Sequence, residues 1–200
     1  RTESIAALEA LPQDQPVVGM SLGLAQLWAG DPTAAAATLE RVKRLDPYGY
    51  YGTNADNLLH LNEAKGYPPW FSTARPDGAS VADLRARTRS SPRDAGAWLA
   101  LAAALENRDR VGAIAAAQKA FALDPNDVSA RIAVTVLPFD KDNPGAALSG
   151  LMRILQSSPA DDAEVRLHVG LVFFWMQDEQ DAAAQFRQVL NDDQHGLYGQ

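Results

Sequence analysis

The chain contains no cysteine, so disulfides and thiolate metal sites are excluded, an absence compatible with every redox compartment. Long apolar runs are also missing. The longest, Trp98 to Leu105 and Val169 to Met176, fall far short of the ~20 residues needed to cross a bilayer. Basic residues are in deficit: 18 Lys and Arg against 25 Asp and Glu leave a formal charge of -7, which argues against a nucleic-acid partner. His60, His168 and His195 are scattered and do not flank a glutamate at i,i+4 spacing, so the zinc-hydrolase helix is absent and no metal or cofactor motif stands out. An initiator methionine is missing too. Arg1 precedes a helical stretch directly, which reads as a processed or trimmed product from which a signal or membrane anchor was removed.

What the chain does have is an interval. Pro47, Pro125 and Pro159 each follow an alanine (Ala35, Ala113, Ala147) by twelve residues, and the last two prolines are 34 residues apart. A period of about 34 residues is that of a stacked helix pair, whose usual task is surface recognition. A second interval runs from Gly23, Ala102, Thr135 and Gly170 to Ala35, Ala113, Ala147 and Ala182, at 12, 11, 12 and 12 residues. Small residues at this spacing sit on the two helices of a hairpin and let their backbones approach. Turn chemistry agrees with the cut. Gly30-Asp31-Pro32 and Asp142-Asn143-Pro144 supply a cap and a first-turn proline, while Pro47, Pro125 and Pro159 end second helices.

Ala97 to Asp127, "AWLALAAALENRDRVGAIAAAQKAFALDPND", carries Trp98, Leu101, Ala102, Leu105, Ala113, Ala120 and Pro125 in the order of a tetratricopeptide repeat, which it resembles. Similar units are Val17 to Pro47, Val128 to Pro159 and Ala163 to about Gln194. The implied fold is all-α, a right-handed superhelix of about eleven helices. It divides into an N-terminal half repeat (1–12), repeats at 16–47, 94–126, 127–159 and 160–194, a degenerate repeat at 48–92 and a tail at 195–200. The degenerate unit stretches the Pro47 to Pro92 gap to 45 residues. It has one helix near Tyr50 to Ala64 and another near Ser80 to Arg89, with an insertion, Lys65 to Gly78, whose three prolines and two glycines exclude regular structure. The array ends without a polar capping helix, which leaves its end open to homodimer formation or to a tail that folds back.

Two motifs suggest chemistry and do not survive their context. Gly19-Met20-Ser21-Leu22-Gly23 matches a nucleophile elbow, but that elbow needs a preceding strand, and Leu22-Gly23 already serves helix packing. Asp140-Lys141-Asp142-Asn143-Pro144-Gly145 begins like a calcium loop, yet Pro144 stands at the third ligand position and Leu151 at the closing glutamate. No catalytic residue is assigned.

The resemblance implies that the first helix of each pair lines a concave, partner-binding face. Position by position this places Met20, Leu24, Leu27 and Trp28, then Leu99 and Ala103, Ile132 and Val136, and finally Leu167, His168, Leu171, Phe174 and Trp175 on that face. Leu99, Ala100, Ala103, Ser129, Ile132 and Ala133 stand where relatives that grip a terminal carboxylate carry Lys, Arg and Asn, which argues against such a clamp. The apolar lining has two readings. Either a helix, the insertion or the tail covers it, or it is a groove for an apolar helix or extended peptide. Tyr67, Trp70 and Phe71 of the insertion are equally two-sided, as partner contacts or as an aromatic plug for the irregular second repeat. Arg131 and Arg166 offer cations on successive first helices, with water as the bland destination of their charges and an acidic ligand as the other. The expected function is a non-catalytic scaffold for a protein or peptide, with a self-filled structural or oligomerisation module, tethered to a membrane by the lost segment, as the alternative.

Overall fold

A computed structural model describes residues 2–61, 64–72, 78–158 and 162–192. Pro159, the expected closing position at Gln194, His195 and the tail lie outside the described residues. Among the described residues the chain is all-α, with eleven helices and no strand: α1 Thr2–Glu9, α2 Pro16–Ala29, α3 Pro32–Leu45, α4 Tyr50–Leu59, α5 Val81–Ser90, α6 Ala95–Leu105, α7 Arg110–Leu123, α8 Val128–Val136, α9 Pro144–Ser157, α10 Asp162–Trp175 and α11 Glu179–Asp192. They form two compact units, Arg1–Gly66 and Tyr67–Gln200, divided within the insertion. Among the described residues no helix is long and apolar enough to span a membrane.

The second helices explain why the alanines recur. Each buries a stripe that starts at the alanine of the repeat interval and continues at helical spacing: Ala35, Thr38, Leu39 and Val42 on α3; Ala113, Ala116, Ala117 and Ala120 on α7; Ala147, Leu151 and Ile154 on α9; Ala182 and Val189 on α11. The close approach has a different partner from the one expected. A side-chain carbon added to Gly23 would meet Leu39 at 2.9 Å, and one added to Gly170 would meet the Phe186 ring at 2.5 Å. Each glycine is thus a hole for a large side chain one turn beyond the alanine, rather than half of a small-against-small contact.

Caps repeat with the hairpins. Asp31, Asp94, Asp109 and Asp127 each accept a hydrogen bond from the main-chain N–H three residues on, opening α3, α6, α7 and α8. Ser80 and Asp83 close a reciprocal capping box at α5. In unit 1, α1 packs on α2, α2 on α3, and α3 on α4. The Asp46 carboxylate accepts from the N–H groups of Tyr51 and Gly52, and buried Asp56 holds Lys43 of α3 at 3.0 Å and His60 at 3.1 Å. α4 ends at Leu59, short of the expected Ala64. In unit 2, α5 packs on α6, and α6–α7, α8–α9 and α10–α11 are consecutive hairpins.

Both discarded motifs are helical punctuation. Ser21 lies within α2 and donates to the Val17 carbonyl one turn earlier. In the α8–α9 turn the Asp142 N–H donates to the Asp140 carboxylate at 3.0 Å, and Asn143 and Pro144 start α9.

Candidate binding surface

In unit 1 the predicted residues lie on α2. Met20 is partly buried against Leu39, Val42 and Ala55. Leu24 is half-buried, Leu27 is 38% exposed and Trp28 is 76% exposed. The same helix buries Val18, Gly19, Leu22, Gly23 and Gln26, with Gly19 and Gly23 closest to Val42 and Leu39 of α3.

Unit 2 treats the equivalent positions differently. Leu99, Ala103, Ile132, Val136 and His168 are all buried, while Leu167, Leu171 and Trp175 are half-buried and Phe174 stays exposed beside the Trp175 ring. What covers them in part is the insertion. The segment Tyr67–Phe71 contains no helix and lies across unit 2, with the Trp70 side chain 2% exposed in the same core as Leu99, Ile132 and Val169. Pro68 is buried, Tyr67 half-buried and Phe71 exposed. Trp70 packs in one core with Leu84 and Val81 of α5, from the irregular second repeat, and with Leu99, Ile132 and Val169 of the later hairpins.

Side chains hold the strap's main chain. The Trp70 N–H donates to Glu106 Oε1 at the end of α6, at 2.6 Å, and the Phe71 N–H donates to His168 Nε2 on α10, at 3.0 Å. That second bond determines the imidazole tautomer. Since Nε2 accepts, the proton sits on Nδ1, which donates to the Glu164 carbonyl at 2.7 Å. Burial pushes the His168 pKa down to about 4, against a smaller opposing effect of the Glu164 bond, so the ring is neutral at pH 7 and fit to accept. The Tyr67 ring is flanked by cations: the Arg110 guanidinium is 4.7 Å from its centroid and Lys141 Nζ is 5.9 Å away. Arg110 also donates to the Leu137 carbonyl, closing the end of α8.

A buried polar pair lies beside His168. Ser129 Oγ donates to Glu164 Oε1 at 2.5 Å, joining positions 35 residues apart on successive first helices, the same offset as Arg131 and Arg166. Serine, histidine and glutamate meet here without forming a hydrolytic relay, because main-chain groups engage both imidazole nitrogens. Arg131 donates to Ser157 and Ser158 at the end of α9, and Arg166 to Gln185 on α11. Among the described residues no group of His, Cys, Asp and Glu is arranged to hold a metal ion.

His168 appears in the sequence-derived surface and Ser129 among the positions where relatives carry a carboxylate clamp, while Glu106 and Glu164 appear in neither. The 35-residue offset between Ser129 and Glu164 was visible in principle, since it repeats the offset of the two arginines. Glu106 carries no such signal: it follows an apolar helix directly, where a charged residue ordinarily marks the start of a solvated turn.

Residues 107–192 match the family model described as Tetratricopeptide repeat. No curated protein sequence matches the chain. Among solved structures it is similar to a thermophilic TPR protein of Thermus thermophilus, at 16% identity over 90% of this chain and 93% of that one, with a TM-score of 0.49. It is similar also to YrrB, a TPR protein with an unusual peptide-binding site, at 12% identity over 99% of this chain and 94% of that one, with a TM-score of 0.46. The later hairpins, residues 107–192, thus match the tetratricopeptide-repeat family, and the all-α hairpin array is the fold that family builds.

Proposed function

We propose that the chain is a non-catalytic scaffold that binds a protein or peptide through the face formed by the first helices of its hairpins. Repeat proteins of this family serve generally as scaffolds. The observation that supports the reading for this chain is the strap itself: in unit 2 a non-helical segment packs on two first helices, its Trp70 and Phe71 N–H groups taken by Glu106 and His168 and its Trp70 side chain buried among apolar residues. That is the chemistry of peptide capture. In unit 1 the counterpart face, with Met20, Leu24 and the exposed Trp28, offers an aromatic anchor of the kind that dominates interfaces. A photo-crosslinking residue placed at position 24 or 28 is expected to trap a partner in cells, while the same residue at Arg44 or Glu40 on α3 traps little. Equal trapping from both helices would remove the face assignment.

The strap also favours a second reading. With its face self-filled, unit 2 acts as a structural or oligomerisation module and only unit 1 engages a partner. Sedimentation equilibrium separates the two: a stable homodimer unaffected by Trp28→Ala supports the module, and a monomer that loses its partner on the same substitution supports the scaffold.

A further inference from the structure

We propose that Tyr67–Phe71 is an internal ligand of unit 2, and that the face it covers takes in its place an extended segment of a partner protein in which prolines precede two bulky, largely aromatic residues. This rests on the scaffold reading and specifies its ligand.

Four observations carry it. First, the strap's N–H groups at Trp70 and Phe71 are taken by side chains on two different helices. Outside a helix each successive N–H needs an acceptor of its own, and Glu106 and His168 supply one each. Second, the ligand matches the acceptors. Pro68 and Pro69 have no N–H to satisfy, and a proline pair is extended before it binds, which lowers the ordering cost. Third, Glu106 and His168 are buried polar groups. An ordinary core at this depth is apolar, because a buried acceptor without a donor is unfavourable; the His168 tautomer is set by Glu164 so that Nε2 faces the strap as an acceptor. Fourth, the fit is incomplete and the strap belongs to no helix. The Trp70 Nε1–H is buried with no hydrogen-bond partner among the described residues. Along the chain the strap falls between α4, which ends at Leu59, and α5, which begins at Val81, so no helix need unwind for it to leave.

The test uses the full chain and a labelled synthetic peptide, KGYPPWFS, which copies Lys65 to Ser72. In the variant Tyr67→Ser, Trp70→Ser, Phe71→Ser the face is uncovered. The peptide is expected to bind this variant at least ten times more tightly than the parent chain. Adding His168→Phe or Glu106→Leu should cut that affinity at least fivefold, whereas Glu106→Gln, which keeps an acceptor oxygen, should preserve it. A scrambled peptide that binds equally well, or no binding to a variant that retains its helical spectrum, overturns the proposal. So does a variant that no longer folds, because the strap is then part of the core. In the unmodified chain, hydrogen exchange at the Trp70 and Phe71 amides should run at least ten times faster than at the middle of α6 and α10; equal protection overturns the proposal as well. A concentration-dependent dimer that forms by exchanging straps would give the face to a second copy and reject the partner. If the strap stays seated while position 28 still cross-links to a partner, this inference falls and the scaffold reading stands.

Discussion

Unit 1 and unit 2 are built by one rule and present opposite surfaces. In both, a first helix offers a hole or a small residue to a second helix whose stripe begins at an alanine of the repeat, and aspartates cap the helices. In unit 1 the other side of the first helix ends in the exposed Trp28, while in unit 2 the equivalent positions are largely buried, with Trp70 among them. The framework therefore does not determine whether a repeat surface is open. A segment outside the repeat determines it, together with acceptors placed to hold that segment's main chain.

Acid should break this comparison most strongly. His168 has its pKa lowered from 6.5 to about 4 by burial in unit 2, so the unfolded chain binds the proton first. Its contribution is complete above about pH 6.5, declines as pH falls, and is fully lost below about pH 4, a loss on the order of 3 kcal/mol. Denaturant titrations between pH 7.5 and 4 should show unit 2 losing stability, and His168→Asn, which does not titrate, should flatten the slope. Protonated Nε2 can no longer accept from Phe71, so strap release should accompany the loss. An unchanged slope in the variant would assign the acid effect elsewhere.

Overpacking comes next and sharpens the division between units. Gly170→Leu forces a side chain into the Phe186 ring and should lower the stability of unit 2 by about 2–3 kcal/mol; Gly23→Leu should do the same to unit 1 against Leu39. Thermal unfolding followed by amide signals from each unit reads which one moves. A variant that melts like the parent would reject the close crossing at that hairpin.

Cap deletion is smaller. Asp31→Ala in unit 1 and Asp94→Ala in unit 2 each remove one side-chain acceptor from a helix start, at about 1 kcal/mol, read as a lowered denaturation midpoint. The smallest effect is a gain. Gly30 closes α2 with φ 85°, and Gln177 closes α10 at the corresponding turn with φ 61°, each followed by an aspartate whose N–H returns to the preceding helix. Glutamine is strained there and glycine is not, so Gln177→Gly should stabilise unit 2 by about 0.5–1 kcal/mol, while Gly30→Ala destabilises unit 1 by a similar amount. A loss on Gln177→Gly would show the glutamine side chain to be needed in its own right.

The fold was legible because its determinants are local and repeated. Ala35, Ala113, Ala147 and Ala182 mark the buried stripes, and Asp31 and Asn143 with the prolines after them mark helix starts; both kinds of signal act within a few residues. The helix-packing partners were less legible. That Gly170 receives Phe186 and not Ala182 depends on how two helices are rotated against each other, which no interval in one chain records. The candidate surface was legible as a set of positions, while its cover was not. Tyr67, Trp70 and Phe71 declared themselves as an aromatic insertion, but nothing local shows that Trp70 meets Glu106 and Phe71 meets His168, contacts separated by 36 and 97 residues.

The amino-acid sequence by itself determined the all-α class, the hairpin boundaries, the capping chemistry, the absence of thiols and the lack of an apolar run long enough to cross a bilayer as a helix, because each follows from spacing and residue type along a short stretch. Tertiary structure alone decided which repeat surface is filled and which side chains accept from the filler. Burial of a polar acceptor such as His168 is favourable only once a donor from a distant segment arrives, and that pairing exists only in the folded chain.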